Sequence, residues 1–129
     1  MNTLSHTRLL LVDDEKGFID VLSNRLARRG IDAVKAYSGT QALRALRKSD
    51  FHLMVLDLKM ADMDGIEVLK IVKKMAPELP VIILTGHGSQ TAAEAGMALG
   101  AFECLTKPCE LSELLEKISL ASGRVLLDE

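Results

Sequence analysis

The sequence predicts an α/β protein whose core is a doubly wound, parallel sheet of five strands. Three short apolar runs are continuous rather than alternating, which is typical of strands buried on both faces. Amphipathic segments with helical spacing separate these runs, and strands that alternate with helices form parallel sheets through right-handed crossovers. The three runs are RLLLV at 8–12, LMVL at 53–56 and VIIL at 81–84.

Two further segments are weaker candidates for strands. They are DAVKAY at 32–37 and FECLT at 102–106. With them the chain alternates five strands and five helices, and neither an internal repeat nor a linker divides it. One layer of sheet between helices is therefore the predicted architecture.

The first two helices are predicted from apolar stripes and from the residues at their ends. The first helix ends at Gly30, after two arginines. The second begins after Ser38, whose hydroxyl can cap a helix N-terminus. Their stripes consist of Phe18, Val21, Leu22 and Leu26 in the first helix and Ala42, Leu43 and Leu46 in the second.

Similar stripes predict the other three helices. The third helix ends near Pro77, the fourth extends from Ala92 to Leu99, and the fifth begins near Glu110 or Ser112. The third stripe consists of Ile66, Leu69, Val72 and Lys73, and the fifth of Leu111, Leu114, Leu115 and Ile118.

Length and composition favour a compact single domain. The chain has 129 residues, 48% of them hydrophobic and 26% charged. A net charge of −2 and a pI near 5.9 give no basic surface for nucleic acid. There is neither a signal-peptide pattern nor an apolar run that could span a membrane, so we expect a cytoplasmic protein. The two cysteines are expected to be reduced thiols.

Five polar residues stand at strand ends. Because the carboxyl ends of parallel strands share one edge of the sheet, where ligands bind, we expect these side chains to meet. They are Asp13 and Asp14 after the first strand, Asp57 after the third, Thr85 after the fourth and Lys107 after the fifth.

Each of these residues alone has a plainer explanation. Asp13 or Asp14 would serve as the N-cap of the first helix. Thr85 would begin a turn, and Lys107 would be a solvated strand end. Three carboxylates packed together, however, repel one another unless a cation lies among them. Mg²⁺ suits such oxygen ligands, whereas zinc would need histidine or cysteine in ligand spacing.

A divalent cation beside an aspartate, a lysine and a threonine is suited to phosphoryl transfer. The cation and the ammonium of Lys107 neutralise phosphoryl oxygens, and the hydroxyl of Thr85 donates to one of them. An aspartate nucleophile forms an acyl phosphate. Asp57, supported by a buried strand, is the predicted nucleophile.

These motifs resemble a response regulator receiver domain over residues 7–122. The resemblance rests on LLVDDE, VLDLKMADMDG, VIILTGHGS and GAFECLTKP, in this order and spacing. It implies a flavodoxin-like (βα)5 fold with strand order 2-1-3-4-5. A single receiver domain is expected over 1–129, with 123–129 as a C-terminal tail or the start of a linker.

The resemblance also implies the acceptor and the metal ligands. Asp57 would be the phosphorylation site, which receives a phosphoryl group from the phosphohistidine of a sensor kinase. Asp13, Asp14, Asp57 and the backbone carbonyl of Lys59 would hold Mg²⁺. The family usually has proline where this chain has Ala61, and we expect a less rigid loop here.

The resemblance also implies a conformational switch, formed by Thr85 and Cys104. The Thr85 hydroxyl would move onto the phosphoryl oxygen that Lys107 contacts, and the bond from Lys107 to Pro108 is typically cis. The residue three before the lysine is usually an aromatic ring that moves inward with the threonine. Here it is Cys104, whose thiol is too small to fill that volume, and Cys109 replaces a common phenylalanine.

The implied function is signalling rather than turnover of a substrate. The resemblance implies that the domain catalyses only its own phosphorylation and dephosphorylation. Its partners would be a sensor histidine kinase or phosphotransfer protein and a downstream effector protein, with a phosphorylation-dependent dimer as a further form. Neither direct contact with nucleic acid nor contact with a membrane is expected.

The fourth helix has two interpretations. Phosphorylation is expected to pull Thr85 and the GHGSQ loop inward and to shift this helix, whose alanines and Gly96 give it few bulky anchors. Alternatively, the small residues only permit close packing against the sheet.

Two other functions compete. Phosphatases of the haloacid dehalogenase class also use a strand-end aspartate and Mg²⁺, but they need an acid where this chain has Lys59, and 129 residues leave no room for a cap domain. A pseudo-receiver would bind partners without phosphorylation. Cys104 favours that alternative, and the complete set of site residues opposes it.

Overall fold

The computed structural model describes residues 6–86 and 90–124. None of the five helices in this part of the chain has the length and hydropathy that a membrane span requires. The elements are β1 (Arg8–Val12), α1 (Lys16–Ala27), β2 (Asp32–Ala36), α2 (Gly39–Lys48), β3 (Leu53–Asp57), α3 (Gly65–Met75), β4 (Val81–Thr85), α4 (Gln90–Ala98), β5 (Glu103–Thr106) and α5 (Leu111–Ser122).

The five strands form one parallel sheet in the order β2-β1-β3-β4-β5, which confirms the predicted topology. The chain winds outward from β1 to one edge and then, from β3, to the other. The carboxyl ends of β1 and β3 therefore flank the point where the strand order reverses.

The central strands are apolar throughout because both faces of the sheet are covered. Leu9 and Leu11 pack into one core, with residues of α1 and α5 such as Ile19 and Leu115. Leu10 and Val12 point to the other face and join a second core built with α2 and α3. Alternate side chains of β1 thus enter opposite cores, as a continuous apolar run requires.

The first helix differs from its predicted stripe. Val21 is 60% exposed, so its assignment to the buried face was wrong. The buried residues of α1 are Ile19, Leu22 and Leu26. Their spacing of three and four places them on one helix face, and Val21, two residues from Ile19, lies on another. Phe18 packs against the core while partly exposed.

The N-cap predicted for α2 is confirmed, whereas the N-cap considered for α1 is not. The Ser38 hydroxyl accepts a hydrogen bond from the amide of Gln41 at 3.1 Å, which confirms it as the N-cap of α2. The N-cap of α1 is Glu15 rather than Asp13 or Asp14. The acid pair therefore stays available to the site.

The fourth helix packs closely on the sheet. Gly96 is buried, and a Cβ atom added there would lie 2.4 Å from Cδ1 of Ile83 on β4. The small residue thus permits close packing, as the second interpretation holds. Most of the predicted mobile loop, at 87–89, and the tail at 125–129 lie outside the described residues.

Candidate functional site

The carboxyl edge of the sheet brings three acids together. Asp57 is the last residue of β3, and Asp13 and Asp14 directly follow β1. One carboxylate oxygen from each lies within 4.8 Å of the others. Hard divalent cations prefer such oxygen ligands, so the donor set fits Mg²⁺.

A backbone amide donates a hydrogen bond to each of these three carboxylates. Two of the donors lie two residues after the acid that accepts from them, whereas the third, Ala61, lies 47 residues after its acceptor Asp14. The pairs are Glu15 N–H to Asp13 Oδ1 at 3.0 Å, Lys59 N–H to Asp57 Oδ1 at 3.3 Å and Ala61 N–H to Asp14 Oδ2 at 2.9 Å. Such bonds to charged acceptors hold each side chain in one orientation.

Lys107 supplies the positive charge of the site. Its Nζ lies 2.8 Å from Oδ2 of Asp13, 3.0 Å from Oε1 of Glu15 and 3.8 Å from Oδ2 of Asp57. The ammonium also lies 4.4 Å from the centroid of the Phe18 ring, a cation–π contact. Burial alone would lower the pKa of Lys107, but its hydrogen bonds to Asp13 and Glu15 raise it overall.

Asp57 is ionised at a cost. Only 4% of the residue is exposed, and burial together with the charge of Asp13 raises its pKa to about 6. The charge of Lys107 and the amide of Lys59 oppose this shift without cancelling it. The negative charge gathered here thus exceeds what the protein's own cation offsets, and a bound divalent cation would relieve it.

Thr85 ends β4 beside these acids and is buried. Its hydroxyl, however, is directed to the neighbouring strand β5. Oγ1 lies 3.5 Å from the carbonyl oxygen of Leu105 and 3.8 Å from Sγ of Cys104. The predicted switch residues Thr85 and Cys104 are therefore in contact.

A cavity of about 390 Å³ opens above Asp57. The carboxylate is thus reached from outside the sheet rather than sealed in the core. The peptide bond between Lys107 and Pro108 is cis, as the resemblance implies. The cavity is lined by Glu15, Phe18, Asp57, Lys59, Gly86, Lys107 and Pro108.

Three groups of the site were not predicted from the sequence. Glu15 directly follows the acid pair, and its charge close to a strand end is the signal that could have indicated it. Phe18 was assigned to the core, although it also contacts Lys107. The amide of Ala61 had no signal, because a backbone donor leaves no trace in residue type.

Residues 9–119 match the family model described as "Response regulator receiver domain". The chain belongs to this family. The match covers β1 from Leu9 onward, the other four strands and most of α5, and it therefore includes the whole carboxyl edge of the sheet.

Receiver domains similar to this one occur in transcriptional regulatory proteins. GlrR of Escherichia coli (strain K12) is 41% identical over 117 residues, which are 89% of this chain and 26% of that protein. ZraR of Klebsiella oxytoca is 36% identical over 121 residues, 94% of this chain and 27% of that protein. The chain thus spans about a quarter of the length of these curated relatives.

Solved receiver domains share the fold. One from Clostridium thermocellum superposes with a TM-score of 0.87 at 33% identity, over 91% of this chain and 94% of that one. The receiver domain of NtrX from Brucella abortus gives a TM-score of 0.84 at 30% identity, over 89% and 98% of the two chains.

Proposed function

We propose that this receiver domain accepts a phosphoryl group on Asp57 in an Mg²⁺-dependent reaction. The observation that carries the proposal is the convergence of three carboxylates, with the ammonium of Lys107 3.8 Å from Asp57. The donor would be the phosphohistidine of a sensor histidine kinase or phosphotransfer protein. An oxygen of Asp57 would bond to phosphorus as the phosphorus–nitrogen bond breaks, and the imidazole would leave with the electron pair.

The acids and one backbone carbonyl would hold the cation. Asp13, Asp14, Asp57 and the carbonyl of Lys59 are the proposed ligands. Bound there, Mg²⁺ would neutralise charge on the phosphoryl oxygens. Asp13 is fully buried and Asp14 is half-buried.

Lys107 and Thr85 would contact the phosphoryl group on Asp57. Nζ of Lys107 lies 2.8 Å from Oδ2 of Asp13 and 3.0 Å from Oε1 of Glu15. From there it would move the short distance to a phosphoryl oxygen on Asp57. Thr85 would exchange its contact with the carbonyl of Leu105 for another phosphoryl oxygen. Thr85 would thereby exchange a neutral carbonyl acceptor for a charged one, whereas Lys107, whose present partners are carboxylates, would keep charged acceptors throughout.

The output would be a change in a protein-interaction surface around α4, β5 and α5. A downstream effector would recognise this surface, and a phosphorylation-dependent dimer could form through it. The thiol of Cys104 lies 3.8 Å from the Thr85 hydroxyl, so a movement of Thr85 would change this contact directly. The movement of an aromatic ring would not be needed. The domain itself would contact neither nucleic acid nor membrane, and it would act in the cytoplasm.

The relatives favour a signalling role over turnover of a substrate. They are transcriptional regulatory proteins, and this chain covers about a quarter of their length. The phosphatase alternative would need an acid at Lys59, and that side chain is an amine. The domain would therefore catalyse only its own phosphorylation and dephosphorylation.

The nature of the phosphoryl bond tests this proposal. After incubation with acetyl phosphate and Mg²⁺, the chain should carry a phosphoryl group that hydroxylamine removes, because hydroxylamine cleaves acyl phosphates and spares phosphoesters. A chain that folds, binds Mg²⁺ and gains no such group would be a pseudo-receiver. A hydroxylamine-stable product would place the phosphoryl group on a hydroxyl and contradict the proposal.

A further inference from the structure

The carboxylate of Asp14 is held by an amide that the usual receiver sequence would not provide. Ala61 N–H donates to Oδ2 of Asp14 at 2.9 Å, the shortest of the three amide bonds to the acids. Proline, expected here from the resemblance, has no amide hydrogen and could not make this bond. The substitution therefore adds a donor at the metal site.

Asp14 needs an external partner more than its neighbours do. Asp13 is fully buried and its carboxylate also accepts from Lys107, whereas Asp14 is only half-buried. An exposed side chain loses rotamer freedom when it binds a cation, and that loss weakens binding. A hydrogen bond that orients Asp14 beforehand reduces the loss. The amide of Ala61 donates to Oδ2 of Asp14, and the other carboxylate oxygen, Oδ1, takes no part in this hydrogen bond.

The loop that carries Ala61 is fixed at both ends. Asp62 accepts hydrogen bonds from the amides of Gly39 and Thr40, at 3.0 and 3.2 Å, at the start of α2. Gly65 N–H donates to the carbonyl of Leu58 at 3.0 Å and closes the loop on itself. These hydrogen bonds anchor the loop at two points, although proline is absent at residue 61. An anchored amide is able to orient Asp14.

We propose that the backbone amide of Ala61 is a positioning group that strengthens Mg²⁺ binding by orienting Asp14. This inference rests on the proposed function, since it takes Asp14 to be an Mg²⁺ ligand. Groups that orient metal ligands from outside the coordination sphere affect metal affinity by roughly tenfold or more, and this exposed bond should act at the low end of that range.

The test compares Mg²⁺ binding to the unphosphorylated 129-residue chain and to three variants. Mg²⁺ alone is titrated at constant ionic strength, and the dissociation constant is read from ¹H–¹⁵N chemical shifts. Ala61→Pro removes the amide and stiffens the loop. Ala61→Gly keeps the amide and loosens the loop, and Ala61→Ser keeps the amide with little change in stiffness.

Two explanations rank these variants in opposite orders. If the amide matters, Ala61→Pro weakens Mg²⁺ binding about three- to tenfold, and the glycine and serine variants remain within about twofold of wild type. If only loop stiffness matters, Ala61→Gly is the weakest binder and Ala61→Pro binds as tightly as wild type or more so. The second ranking, or equal binding by all four chains, would overturn the inference.

The wild-type chain provides an independent readout that needs no variant. The amide of Ala61 should exchange with solvent slowly for an exposed residue and should show a scalar coupling to Cγ of Asp14 across the hydrogen bond. Free exchange without coupling would also overturn the inference. If wild type shows no Mg²⁺-dependent shifts at Asp13, Asp14 and Asp57, the proposed function fails, which is a different result from equal binding.

Discussion

Nζ of Lys107 lies 3.8 Å from Oδ2 of Asp57, across the cavity at the carboxyl edge of the sheet. The same nitrogen is closer to Asp13, at 2.8 Å. The lysine is therefore held near the proposed acceptor without a direct hydrogen bond to it. In this arrangement Lys107 does not occupy Oδ2 of Asp57 with a hydrogen bond, and its ammonium is close enough to contact a phosphoryl group bound there.

Replacing Lys107 should raise the pKa of Asp57. The charge of the lysine lowers that pKa and partly offsets burial and the charge of Asp13, so Lys107→Met should move it above its value of about 6. A ¹³C titration of the carboxyl group without Mg²⁺ measures the change. Lys117→Met, which removes a surface ion pair with Glu103, is the control and should leave Asp57 unaltered. An unchanged or lower pKa in Lys107→Met would contradict the described electrostatics.

Removing the charge of Asp57 should stabilise the metal-free protein. Its pKa is about 6 when folded against an ordinary 3.8, so the folded state binds the proton more tightly than the unfolded state. Stability of the wild type therefore falls as the pH rises through this interval. Asp57→Asn should be about 1–2 kcal/mol more stable than wild type at pH 7.5, with a smaller gain at pH 5.

Urea denaturation without Mg²⁺ measures this gain at each pH. The control is Asp50→Asn, at an exposed acid distant from the carboxyl edge, which should change stability little. A destabilised Asp57→Asn at pH 7.5, or a gain that grows towards pH 5, would contradict the prediction.

Gly65 should tolerate no side chain. A Cβ atom there would lie 2.4 Å from Cα and 2.6 Å from the carbonyl oxygen of Leu58, and backbone atoms cannot move aside cheaply. Gly65→Ala should therefore lower the free energy of unfolding by about 2–3 kcal/mol. Gly17, in α1, has no atom within 4 Å of such a Cβ, so Gly17→Ala should raise stability by about 0.5–1 kcal/mol. Similar effects of both changes in urea denaturation would refute this account of the loop.

Thr85 should transmit the phosphorylated state to β5 and α4. With beryllofluoride and Mg²⁺, amide shifts at residue 86 and at 90–105 should change in wild type as the Thr85 hydroxyl leaves Leu105. Thr85→Ala should reduce these changes while keeping those around Asp57. Thr106→Ala, at the exposed register partner of Thr85, is the matched control. The absence of any change at 86 and 90–105 in wild type would refute the switch.

Most of the fold was predictable because burial leaves a direct imprint on residue type. Strands buried on both faces must be continuous apolar runs, and β1, β3 and β4 are recognisable for that reason. Val21 was assigned wrongly to the buried face because residue type alone does not distinguish an apolar residue on an exposed helix face from one in the core.

The site was predictable as a set of residues and less so as a geometry. Parallel strands end at a common edge, and that placed the acids and Lys107 together. The partners of Lys107 and the orientation of the Thr85 hydroxyl depend on rotamers and on distances of a few ångströms, which residue order does not encode. The amide of Ala61 could not be predicted as a donor, because every residue except proline carries a backbone N–H group.

Intact mass measurement after incubation with acetyl phosphate and Mg²⁺ tests the central claim most directly. Wild type should gain one phosphoryl group, Asp57→Asn should gain none, and wild type with a chelator in place of Mg²⁺ should react far more slowly. Equal phosphorylation of Asp57→Asn, or none of a folded wild-type chain, would contradict Asp57 as the acceptor.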